Sequence, residues 1–120
     1  MATGQAAEAL RMIEGSPDWE WVLYRPANDP ARRVKALVDR EGVETVPGVR
    51  TRGTFLALVT VANDEHDGVS TRDVKTGGAA GADRLDIAMR VGAEETTCWV
   101  SAIPVHDSGQ VVLEARGALA

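Results

Sequence analysis

Two histidines, one cysteine and a scatter of carboxylates are the side chains in this chain that could move a proton, hold a metal or attack a substrate. His66 and His106 fall in separate polar stretches, NDEHDG and HDSG, and a shared metal would need them to converge with further ligands. Counted from Asp64, the acidic stretch puts His66 third, Gly68 fifth and Lys75 twelfth, which breaks the alternating oxygens and closing glutamate of a calcium loop. Cys98 has no histidine beside it in sequence and sits inside a strand-like run, so it reads as a buried, small apolar side chain. Glu94-Glu95 belongs to a reversal open to water, where acids serve solubility. The glycine-rich segment TGGAAGAD, residues 76–83, lacks the Lys-Ser/Thr of a phosphate loop and leads into a strand, so it reads as a flexible connector. No nucleophile elbow is present. No catalytic, cofactor-binding or metal-ligating set can be assembled, and no enzymatic activity is expected.

The charge distribution narrows the partners. Residues 1–60 carry eight basic and eight acidic side chains, whereas residues 61–120 carry five basic and ten acidic, so the whole net charge of -5 lies in the second half. That balance argues against gripping nucleic acid through its phosphates, but not against sitting near nucleic acid without sticking to it. Arg32, Arg33, Lys35, Arg40, Arg50 and Arg52 make the first half locally basic, yet Asp39, Glu41 and Glu44 are interleaved, as on an ordinary solvated face. No apolar run approaches the length of a membrane span, and no leader pattern opens the chain, so secretion and membrane insertion are not expected.

The elements that must position these residues are mostly strands. The clearest run is residues 84–116, where Leu85, Ile87, Met89 and Val91 alternate with Arg84, Asp86, Ala88 and Arg90. A Gly-started reversal at Gly92, a second strand whose alternation slips near Ser101-Ala102, a turn at 106–109 and a last strand through Val111, Leu113 and Ala115 complete a β-meander. Upstream, residues 5–14 place Ala6, Ala9, Leu10 and Ile13 on one helical face, and Gly15-Ser16-Pro17 stops that helix, so residues 1–15 form an N-terminal helical segment. DWEWVLYR, residues 18–25, puts Trp19, Trp21 and Leu23 on one strand face and Glu20, Val22 and Tyr24 on the other. The tryptophans are expected to fill the core, with a partner-facing aromatic anchor as the alternative. RRVKALVDR, residues 32–40, pairs with that strand, and TFLALVTVA, residues 54–62, reads as a central strand covered on both faces. Between these two, residues 41–53 form the longest expected loop, and loops of such length carry function or disorder. Ser70 followed by Asp73 suggests one turn of helix. One domain of 120 residues, mainly β, follows.

The order of these parts resembles the head-tail joining family of long-tailed phages, also called stopper or head-completion proteins, with its relatives in prophages and gene transfer agents. The likeness rests on VSTRDV at 69–74, the Gly-containing approach at 77–83, the strand from Leu85, the Gly-Glu type hairpin at 92–95, the strand through Val105, the polar turn at 106–109 and the last strand at 111–114. It covers residues 69–116 and the first half in outline. The glycine-rich segment departs from the pattern, being longer than the tight turn usual there. The resemblance implies a small antiparallel β-barrel or sandwich with a short N-terminal helix and one peripheral helical turn. It implies a structural protein of the virion neck, assembled in the host cytoplasm, whose copies form a ring between the portal or its adaptor and the tail terminator or tail tube. Double-stranded DNA would pass without adhering, and no cofactor is implied. Glu44, Val46, Val49, Arg50 and Arg52 in the long loop, with Trp19 and Trp21, are then the candidate contacts to sister subunits or docking partners. A tail terminator or tube subunit, or a small ligand-binding barrel, are the alternatives.

Overall fold

The computed structural model describes residues 4–44, 54–78, 80–88 and 94–118, of which 41–44, 54, 55 and 118 are described by backbone only. Helix α1 (Gly4–Gly15) precedes strands β1 (Glu20–Arg25), β2 (Arg32–Glu44), β3 (Thr54–Ala62), β4 (Arg84–Ala88), β5 (Glu95–His106) and β6 (Gln110–Ala118). The strands close into a barrel in the order β1-β2-β3-β6-β5-β4, every pairing antiparallel. It is two three-stranded meanders joined at both edges. The β3/β6 seam runs from Thr54↔Ala118 to Ala62↔Gln110, while the β1/β4 seam is short, from Leu23↔Asp86 to Arg25↔Arg84. Closure removes the unpaired edges that an open sheet of this composition would expose.

Period-2 alternation decides what goes inside. Val22, Val34, Val59, Ile87, Val100 and Leu113 stand for the inward rows, all within one buried cluster. A barrel of eight strands is just wide enough for side chains to fill, so six strands leave a packed core and no lumen. Each such side chain contributes roughly 1.5–3 kcal/mol by leaving water. The slip near Ser101-Ala102 is a break in register, between Val100 and Ala102 and again between Ala102 and Val105.

Three expectations need correction. The tryptophans of the first strand do not fill the core: Val22 and Tyr24 are buried, whereas Trp21 is 50% exposed. The physical reason is the phase of the strand: Val22 and Tyr24 are in register with the buried Val34 and Leu85 of the neighbouring strands, which leaves Trp21 on the opposite, outward face. The expected loop at 41–53 begins later, because β2 continues past a bulge between Arg40 and Gly42 and pairs to Glu44↔Thr54. The segment 76–83, expected as a flexible connector, ends in Asp83, whose side chain and backbone are both hydrogen-bonded to other segments, as described below. Residues 71–73 form a single turn in which the amides of Asp73 and Val74 donate to the Ser70 carbonyl, so the peripheral helical turn is there and goes no further.

Helix α1 lies outside the barrel, against β2, β3 and β6. Ala6, Ala9 and Ile13 are its buried residues, and none belongs to the barrel's core cluster. Ala62, outward by alternation with Val61, is also buried and also outside that cluster.

Candidate interaction surfaces

The barrel has two ends, and polar side chains close each of them. At the end where β1 leads into β2 and β3 leads toward β4, the Tyr24 hydroxyl donates to Asp83. The same carboxylate accepts the amides of Ala27 at 2.9 Å and Lys75 at 3.0 Å. Its backbone also ties in, since its amide donates to the Lys75 carbonyl and its carbonyl accepts from Val100. One residue thus holds the 26–31 turn, the 63–83 connection and β5 together. Burial, and then the hydrogen bond to Asp83, push the Tyr24 hydroxyl well above its ordinary pKa, so it stays a donor. Arg32 lies over the Tyr24 ring, 4.9 Å from its centroid, and donates to the Gly68 carbonyl at 2.6 Å.

At the opposite end, Arg40 and Glu20 take the inward positions of β2 and β1. Two hydrogen bonds, at 2.6 and 3.0 Å, join them, and Arg40 Nε donates to the Ala88 carbonyl at 2.7 Å. The guanidinium therefore spans from β2 to β4 beyond the start of β1. Sequence puts Arg40 on a solvated basic face and Glu20 opposite the tryptophans expected in the core; the structure instead has Glu20 share the inward face of Val22 and Tyr24, and Arg40 continue the inward row Val34, Ala36, Val38.

Cys98 is buried, and burial pushes its thiol up to about 12. His66 is exposed beside Glu65 at 3.4 Å. Among the described residues no group of three histidine, cysteine or carboxylate side chains could hold a metal. Asp64 accepts the amides of Asp67 and His66, and Asp107 those of Gln110 and Gly109, so these acids serve turns. Slight burial pushes the Asp64 carboxyl up, but the two amides outweigh it and hold it below its usual range; the Gln110 and Gly109 amides do the same for Asp107.

The outer wall is more distinctive. Trp19 and Trp21 meet edge to face, 5.5 Å between centroids, and the Lys35 ammonium sits 5.3 Å from each ring. The same ammonium pairs with Glu14 of α1 at 2.9 Å. Alternation puts Trp99 on the outer wall too, between its register partners Arg84 and Arg116. All three tryptophans of the chain therefore face outward. Asp86, outward yet buried, is held by Arg25 at 2.8 Å and by the Thr97 hydroxyl at 2.8 Å, which binds β1 to β4 and β5.

Of the contact residues expected from sequence, Trp19 and Trp21 come together in this cluster. Glu44 ends β2, far along the strand from Lys35, and its side chain is not described; Val46, Val49, Arg50 and Arg52 lie outside the described residues. Nothing local in the sequence marks Glu14, Lys35 or Asp83 for these contacts: their roles depend on which elements pack together. No family model, no characterised protein and no solved structure matches the chain.

Proposed function

We propose that the chain is a structural subunit of the head-tail connector of a long-tailed phage, prophage or gene transfer agent. In this role it is a stopper or joining protein, without enzymatic activity, whose copies form a ring that seals the filled head and docks the tail. The observation that carries the reading is the division of side chains between inside and outside. The interior is filled by aliphatic residues and is closed by Tyr24–Asp83 at one end and Arg40–Glu20 at the other. The tryptophans, residues rich in contact energy, stand on the outer wall, where partners are met. A ligand-binding barrel needs room within, and this interior is occupied.

Partners in this reading are sister copies, the portal or its adaptor on one side, and the tail terminator or tail tube on the other. The net charge of -5 supports a ring lumen that DNA crosses without adhering. Purified chain incubated with DNA-filled, tailless heads is expected to bind them, retain their DNA and restore tail attachment. Binding to free tails in place of heads would move the reading to a tail terminator or tube subunit. Binding to neither would overturn it.

A further inference from the structure

We propose that α1 is an exchangeable arm, taken up by the barrel of a second copy of this chain on the same outer face of β2, β3 and β6 that it covers within its own. The occupant is fixed by the contact already made. Glu14 meets Lys35, Ile13 is fully buried, and the backbone of Gln5 approaches Gly109 so closely that a Cβ there would stand 2.8 Å from the Gln5 carbonyl oxygen. A face shaped this closely to one helix accepts the identical helix from a neighbour.

Three observations make the exchange inexpensive. No α1 residue belongs to the barrel's core cluster, so the barrel keeps its core when the helix leaves. The described hydrogen bonds of the link from Gly15 to Trp19, Ser16 N to the Ile13 carbonyl at 3.0 Å, Asp18 N to Ser16 Oγ at 3.3 Å and Trp19 N to the Ser16 carbonyl at 3.5 Å, all run within residues 13–19, so opening the link breaks none of them to the barrel. A helix of 12 residues has little stability without a surface to dock on, so a released arm seeks one. Exchange of an identical element is a low-cost route to association, and a one-way donation from each copy to the next is a heterologous contact that closes into a ring where the rotation permits. The inference deepens the connector reading by naming the subunit contact, but it rests on the docking geometry alone.

The test is complementation between two full-length variants. Ile13→Asp leaves the docking face intact and spoils the arm; Gly109→Val leaves the arm intact and obstructs the face. Each alone is expected to be monomeric, with a cooperative melt reporting a folded barrel. Mixed, they should form a one-to-one heterodimer of twice the 12.8 kDa chain mass by light scattering. Two folded monomers that stay apart on mixing would overturn the proposal. Should either variant fail to fold, wild-type chains labelled with donor and acceptor dyes decide it: energy transfer that rises with concentration and is lost on deleting residues 1–14 supports exchange, and its absence up to millimolar chain overturns it. A chain that exchanges arms in solution yet binds neither heads nor tails would keep this inference and lose the connector reading.

Discussion

Asp83 illustrates how much of this fold hangs on single polar side chains. Its carboxylate accepts from one hydroxyl and two amides at a 1% exposed position, so removing it strands three donors. Each stranded donor costs about 1–3 kcal/mol. Asp83→Ala is therefore expected to lower the unfolding free energy by about 3 kcal/mol or more in urea titration, and Asp83→Asn, which keeps one acceptor, by less. Equal loss in the two variants would contradict the role given to the carboxylate. Gly68 is a second such point. An added Cβ would lie 1.9 Å from the Ala62 carbonyl oxygen, a backbone atom that cannot swing away, so Gly68→Ala should destabilise strongly while Gly78→Ala, in open space, is tolerated. Acid should act through the turns. Asp64 and Asp107 have carboxyls held below their ordinary range in the folded chain, so their contribution is complete above the unfolded value of about 3.9 and is lost as pH falls through the lowered folded values. Stability is expected to hold from neutrality to about pH 4 and fall below it, with a shallower fall in Asp107→Asn; an unchanged acid limb in that variant would refute the assignment.

At the level of elements, alternation and turn chemistry gave away most of the architecture. The central strand at 54–62, the helix at 4–15 and the register slip near Ala102 all coincide with their sequence signals, because each is a local consequence of side-chain period or of a stop such as Gly15-Ser16-Pro17. What sequence could not supply was which of two strand faces is inward when both look apolar. In DWEWVLYR the larger residues, Trp19 and Trp21, suggest the core, but Val22 and Tyr24 are the ones in register with the buried Val34 and Leu85. The extent of β2 was hidden for a similar reason, since Gly42 reads as a breaker but is absorbed by a bulge against β3. The contact candidates in 45–53 stay a matter of sequence alone. Helix and barrel should separate energetically. Leu113→Ala, at a fully buried inward position, is expected to cost about 2–5 kcal/mol. Ile13→Asp should leave the barrel's melting transition nearly in place and raise amide exchange in α1 alone; a collapse of the whole transition would show that the helix belongs to the core.

For the whole molecule, the account predicts that function and stability are set by different surfaces. Trp21→Ala removes an exposed indole stacked with Trp19 and Lys35, so it should change the melting temperature little and weaken assembly with heads by tenfold or more, the scale of an aromatic anchor. Inward variants should do the reverse, lowering stability while leaving the affinity of the folded fraction unchanged. The central claim is that this chain works as a ring subunit at the neck, through its outer wall. The measurement closest to that claim is an image reconstruction of the neck of particles released from cells carrying the gene. The account predicts a ring of six-stranded barrels between portal and tail, with Trp19 and Trp21 facing a neighbouring protein. Complete, tail-bearing particles whose neck contains no such barrel would contradict it.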